Sequence, residues 1–139
     1  AKGLGGGLPL GAALMSEKVQ NVLGFGDHGS TFGGNPVCCA GAVSIVKRLD
    51  EAFLQSVTEK SSWVFEQLAG APGIESVSGM GLMIGIKTAK PAGEIVKKCM
   101  EKGVLCLTAK EKVRLLPALN ISMDELKTAI ETIKAVCAE

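Results

Sequence analysis

A chain of 139 residues, 47% of them hydrophobic, supports one ordinary core and is too short for two full-sized domains. Its 15 basic and 14 acidic residues are scattered to a formal net charge of +1, and tyrosine is absent, so there is neither a basic stripe nor a base-stacking surface and no nucleic-acid partner is expected. No apolar run approaches the ~20 residues of a membrane-spanning helix, and the start lacks the charged and apolar regions of a signal peptide; a soluble, cytoplasmic protein with no membrane partner is expected.

Eight of the 18 glycines fall within the first 29 residues, which makes this part loop-rich. After the run Gly3-Leu4-Gly5-Gly6-Gly7, the apolar stretch Leu10 to Met15 reads as a short buried strand or a piece of helix, and Ser16 reads as a cap before Glu17-Lys18-Val19. Gly24 to Pro36 is too rich in glycine for a regular element and reads as a long surface or site loop. Asn35-Pro36 then announces a helix, because the amide side chain caps and proline is tolerated at the first helical position; it should reach about Leu49. A second helix, separate or continuous, carries Phe53, Val57, Val64 and Leu68 and ends at Gly70-Ala71-Pro72-Gly73.

From Ile74 the period changes. Ile74 to Ser78 and Leu82 to Lys87 read as a hairpin, Pro91 opens a helix closed by Gly103, and Val104 to Thr108 with Val113 to Leu116 form a second strand pair. Ser122-Met123-Asp124-Glu125 is a capping box, and Leu126, Ala129, Ile130, Ile133, Val136 and Cys137 line the apolar face of the last helix. The expected class is α+β, with helices covering one face of a small sheet. Residues 1 to 35 offer little area to offset their ordering entropy, so they are expected to be poorly ordered alone or held by a neighbouring chain.

The five cysteines, at 38, 39, 99, 106 and 137, form no Cys-x-x-Cys pair, and the single histidine, His28, sits at no familiar zinc spacing; reduced thiols and no metal site are expected. Lys2 stands beside glycines that leave the backbone open, and a lysine ε-amine condenses with an aldehyde when its surroundings keep some of it neutral. Local sequence alone favours a frayed, solvated terminal lysine, and only the rest of the chain can overturn that. The glycine run lacks the third glycine of a dinucleotide fingerprint and the Gly-Lys-Ser/Thr of a P-loop. His28 to Pro36 offers hydroxyls at Ser30 and Thr31, free backbone amides and a helix start, the parts of an anion site, or else a loop that satisfies only itself. Asp27, His28 and Ser30 lie too close in sequence for a hydrolase triad.

Taken together, four segments resemble one family. Ala1-Lys2-Gly3-Leu4-Gly5-Gly6-Gly7-Leu8-Pro9-Leu10-Gly11-Ala12 is similar to the stretch bearing the cofactor lysine of the class III, fold type I, pyridoxal-phosphate aminotransferases. His28-Gly29-Ser30-Thr31-Phe32-Gly33-Gly34-Asn35-Pro36 resembles the loop that comes after it, and Gly81 to Ile86 and Val113 to Ile121 resemble two motifs of the small domain, in order. The resemblance implies that residues 1–49 end a large pyridoxal-phosphate domain and residues 50–139 form the small C-terminal α+β domain. It implies that Lys2 anchors pyridoxal 5'-phosphate and moves the substrate proton, that Thr31 with Ser30 binds the cofactor phosphate across a homodimer interface, and that Arg114 holds the substrate carboxylate in a bidentate pair. The likeness is strongest to members that move the δ-amino group of N-acetylornithine to 2-oxoglutarate in arginine biosynthesis. Ornithine or 4-aminobutyrate types are the first alternative, and a catalytically silent packing module the second.

Two departures bear on specificity: Ser78 stands where many members carry arginine, and Ala118 replaces a proline. The family's larger N-terminal portion, with the aromatic residue and aspartate that contact the cofactor ring, is not in this sequence, so these 139 residues alone are expected to be inactive.

Overall fold

The computed structural model describes all 139 residues. They divide into two compact units, Ala1–Phe53 and Leu54–Glu139. Helices are α1 (Pro36–Val46), α2 (Glu51–Leu68), α3 (Ala92–Glu101) and α4 (Met123–Ala138); strands are β1 (Ile74–Met80), β2 (Met83–Thr88), β3 (Leu107–Ala109) and β4 (Lys112–Leu115). No helix is long and apolar enough to cross a membrane.

In the first unit a single 3-10 turn, Lys2–Gly5, lies against α1. The approach is close because Gly41 has no side chain: a methyl group there would meet the Gly5 carbonyl at 2.9 Å and Leu8 Cδ1 at 2.8 Å. Asn35 and Pro36 start α1 as expected, with Asn35 Oδ1 accepting from the amides of Val37 and Cys38 at 3.0 and 3.2 Å. The strand or helix expected over Leu10 to Met15 does not form. Ser16 opens only isolated turns, Val19 N to Ser16 O and Val22 N to Val19 O, because no second strand is available to accept the amides of 10–15. Helix α1 ends at Val46, three residues early, and the break before α2 is sealed by Asp50, whose Oδ1 accepts from Phe53 N at 2.8 Å.

The second unit is α+β. Its four strands are antiparallel throughout, in the order β1-β2-β4-β3. The β1–β2 loop is Gly81-Leu82, and Gly81 at φ 55° supplies the left-handed backbone a two-residue hairpin needs. Strand alternation sends Ile84 and Ile86 of β2 and Val113 of β4 to one face. There they join Val64 and Leu68 of α2, Ile95 and Cys99 of α3, and Leu126, Ile130, Ile133 and Val136 of α4 in one core. Each such side chain contributes about 1.5–3 kcal/mol by leaving water, and the core closes without residues of the first unit.

The punctuation read from sequence operates as chemistry. Ser122 Oγ accepts from Glu125 N at 3.2 Å while Glu125 Oε2 accepts from Ser122 N at 3.1 Å, the two halves of the capping box. Gly103, at φ 83°, ends the α3 turn, with Val104 N donating to Cys99 O at 2.8 Å. The strand expected from Val104 shortens to Leu107–Ala109, and Cys106 turns into the core. At Gly73, φ 76°, a methyl group would run into the carbonyl oxygen of Cys137, so only glycine lets this turn pass the end of α4.

Candidate functional site

The 3-10 turn and α1 place Lys2 on an exposed shoulder of the first unit. Its φ is +60°, one of two non-glycine residues in the left-handed region, a conformation costing about 1–2 kcal/mol for a side-chain-bearing residue. Lys2 lines a shallow depression with Ala1, Gly7, Leu8, Pro9, Leu10 and Gly11. Nothing lies within 4 Å of where a methyl group on Gly3 or Gly7 would sit, so a flat ring meets no side chain there. A primary amine beside open glycine backbone fits covalent attachment of an aldehyde cofactor.

Ser30 and Thr31 lie in the loop before α1, where Gly33 N donates to Ser30 O at 3.0 Å and closes a tight turn. Both residues are exposed and their hydroxyls have no protein partner, which suits them to an external phosphate. The helix start does not join them as expected. Asn35 already satisfies the amides of Val37 and Cys38, and Cys39 N bonds to Asn35 O, so that part of the anticipated anion site is used internally. The depression beside Lys2 includes neither Ser30 nor Thr31.

Arg114 belongs to the second unit, on β4 between Gly85 of β2 and Leu107 of β3. Its Nε is buried and has no hydrogen-bond partner, an arrangement that costs about 1–3 kcal/mol until an acceptor arrives. Arg114 is among the residues that line an open cavity of about 550 Å³, with Leu105, Leu107, Leu116, Ile121, Asp124 and Glu125. A guanidinium without an acceptor at the edge of a largely apolar cavity suits a carboxylate, with Asp124 and Glu125 as further polar groups in the lining.

The cysteines take no part in this chemistry. All five are free, and Cys99, Cys106 and Cys137 are buried. Burial pushes the Cys99 thiol up to about 12 and Cys137 up to about 11, and raises Cys106 as well, which keeps them protonated and unreactive. No group of three His, Cys, Asp or Glu side chains is placed to hold a metal ion. Sequence reading passed over Lys112 and Ser78 as a pair; their Nζ to Oγ hydrogen bond of 2.7 Å spans β4 to β1. The signal available was the period-2 spacing of Lys112 and Arg114, which puts both on one face of a strand.

The family described as Aminotransferase class-III matches residues 1–137. Acetylornithine aminotransferase of Haemophilus ducreyi is 43% identical over 141 residues, covering 100% of this chain and 36% of the relative. The mitochondrial acetylornithine aminotransferase of Saccharomyces cerevisiae is 41% identical over 149 residues, covering 97% and 35%. Among solved structures, ornithine aminotransferase of Toxoplasma gondii, described with PLP at its active site, superposes with a TM-score of 0.74 at 30% identity over 87% of this chain and 31% of that one. Acetylornithine aminotransferase of Elizabethkingia anophelis gives 0.71 at 26% identity, over 88% and 35%. The chain thus spans about a third of the length of the relatives it matches. With nearly every residue inside the matched region and the same α+β architecture in the solved relatives, the chain belongs to the class III aminotransferases, a family of pyridoxal-phosphate-dependent enzymes.

Proposed function

We propose that these residues serve an aminotransferase that carries the δ-amino group of N-acetylornithine to 2-oxoglutarate, giving N-acetylglutamate semialdehyde and glutamate, as a cytoplasmic homodimer. The observation that carries the reading is Lys2, an exposed amine held at positive φ among glycines whose side-chain space is empty. The names of the 43% and 41% identical relatives support the substrate. Exposed Leu14, Val22, Phe25 and Phe32 in the first unit support a partner surface.

Residues 1–49 act as the end of the cofactor domain and residues 50–139 as the small domain. Pyridoxal phosphate, when bound, supplies an aldehyde for the incoming amino group and an electron-withdrawing ring that weakens the adjacent C–H bond. Lys2 Nζ is the amine that would hold the cofactor's aldehyde, and the same amine, when free, would move the proton at the substrate carbon. Ser30 and Thr31 would donate hydroxyl hydrogens to the cofactor phosphate across the dimer interface, and Arg114 would hold the substrate carboxylate. The 139 residues by themselves would be silent, because the depression that Lys2 lines offers, besides Lys2 itself, only Ala1, Gly7, Leu8, Pro9, Leu10 and Gly11, with no polar or aromatic side chain to hold a ring.

A second reading is an ornithine-type aminotransferase, favoured by the Toxoplasma superposition. The two differ in which donor a full-length polypeptide carrying these residues turns over with the higher kcat/KM, N-acetylornithine or ornithine. Borohydride reduction in the presence of pyridoxal phosphate, with peptide mapping of the product, tests the lysine. The label is expected at Lys2 in the full-length polypeptide and spread over exposed lysines in the 139-residue chain. No label at Lys2 in the former overturns the assignment, and selective label at Lys2 in the latter overturns silence.

A further inference from the structure

Two of the buried thiols meet behind the wall of the open cavity. Cys99 lies in the last turn of α3 and is fully buried; Cys106 follows the reversal at Gly103. Val104 N donates to Cys99 O at 2.8 Å and closes that reversal, which folds the chain back beside the helix it has just left. Both side chains enter the same core, where the two thiols share a hydrogen bond. Their exposure to the outside differs. Cys106 is among the residues lining the cavity of about 550 Å³, between Leu105 and Leu107, and Cys99 is not. A small ion entering the cavity therefore meets Cys106 first and Cys99 behind it.

A sulfur pair in an apolar wall selects its chemistry. Thiols kept protonated by burial are poor nucleophiles at neutral pH. A soft cation does not ask them to attack, because it takes the place of the proton: two S–H bonds break, two sulfur–metal bonds form, two protons leave to solvent, and no electron is transferred. Zinc and harder ions need more donors than two, and no group of three His, Cys, Asp or Glu side chains is placed to supply them. A monovalent ion of the copper(I) class is satisfied by two sulfurs. Two thiolates around such an ion carry one net negative charge, and Arg114, a cation whose Nε has no partner, lines the same cavity.

We propose that Cys106 and Cys99 form a two-sulfur site for a soft monovalent cation of the copper(I) class, reached through the open cavity that Cys106 and Arg114 line. The site is separate from the cofactor chemistry read at Lys2 and does not depend on it.

The test is a titration of the 15N-labelled 139-residue protein with silver nitrate in chloride-free buffer, Ag(I) being the air-stable ion of this class, followed by amide NMR and native mass spectrometry. Cys38→Ser and Cys39→Ser are introduced together beforehand to remove the competing thiols of α1. One bound Ag(I) is expected at the first equivalent, with shifts at the Cys99, Val104 and Cys106 amides. Cys99→Ser and Cys106→Ser are each expected to weaken binding by at least about tenfold, no less than the loss of a supporting partner costs a metal site. Cys137→Ser is expected to keep the affinity. Unmoved amides at Cys99, Val104 and Cys106, a loss in only one of the two serine variants, or an equal loss in Cys137→Ser overturns the proposal. The amide shifts decide the matter even where a serine variant fails to fold.

Discussion

Ala1–Phe53 and Leu54–Glu139 use the same kinds of apolar residue to opposite effect. The first unit buries only Gly5 and Cys38 and leaves Leu14 93% and Phe25 fully exposed, whereas the second reduces Val64, Ile86, Ile95 and Val113 to no exposure at all. The difference lies in partners rather than composition. A strand becomes a core wall only when neighbouring strands take its amides and a helix covers its face, and the second unit has four strands and three helices to share that work. The first has one long helix, one turn and loops; its glycines hold the Lys2 backbone open but have no side chains to pack. The chemistry proposed for Lys2, which needs reachable backbone, falls in the unit that packs least.

That contrast breaks most readily by cutting side chains on both sides of it. Ile130→Ala, which empties a site 1% exposed in the α4 face, is expected to cost about 2–5 kcal/mol, read as a fall in the urea midpoint. Leu14→Ala is expected to change stability by no more than about 0.5 kcal/mol. A comparable loss at Leu14 would show that the first unit has a core of its own. Smaller is the effect of the helix caps: Ser122→Ala is expected to cost about 1 kcal/mol in the same global transition, because α4 is part of the core, while Asn35→Ala loses a similar amount only locally, as faster amide exchange at Val37 and Cys38. A global loss from Asn35→Ala would join the two units energetically and end the contrast.

Smallest is an acid effect at the end of α4. Lys102 and Lys98, at 2.5 and 2.7 Å, hold the Glu139 carboxyl down to about 2 from an ordinary 4.5. Because the folded value is the lower one, this stabilisation is complete above pH 4.5 and is lost as pH falls toward 2. Glu139→Gln is expected to lower stability by a small constant amount above about pH 6 and to converge on the unsubstituted protein as pH falls toward 2, which flattens the curve in that window; the pair is solvent-exposed, so salt should weaken the effect. A drop of equal size in the variant would assign the acid loss to other groups.

How much of this was legible in residues depends on the range over which each signal acts. Asn35-Pro36, Gly103 and Ser122 with Glu125 were readable because a cap is satisfied within four residues of itself, and each appears with the expected hydrogen bonds. Asp50 was missed although it obeys the same rule, since the apolar pattern ran past it into α2. Leu10 to Met15 carried a strand-like composition and no strand, because strand formation depends on a neighbour that no local pattern supplies. The site divides in the same way: Lys2, Ser30, Thr31 and Arg114 were nameable from ordered motifs, but the use of the α1 amides by Asn35 and the reach of Lys112 to Ser78 were not.

By itself, then, the sequence determined the family, the α+β class of its second part and the caps at Asn35, Gly103 and Ser122, and it named the amine, two hydroxyls and guanidinium proposed for one cofactor chemistry, because these are properties of residue type and short spacing. Only the tertiary structure decided which apolar stretch has a partner, that Arg114 Nε is left without an acceptor, and that Gly85 lets a lysine from β4 lie across β2 to a serine on β1. Register is the reason. Pairing Ser78 with Gly85 and Gly85 with Arg114 joins residues up to 36 positions apart, and that alignment is settled by burial of Ile84, Ile86 and Val113 on the opposite face.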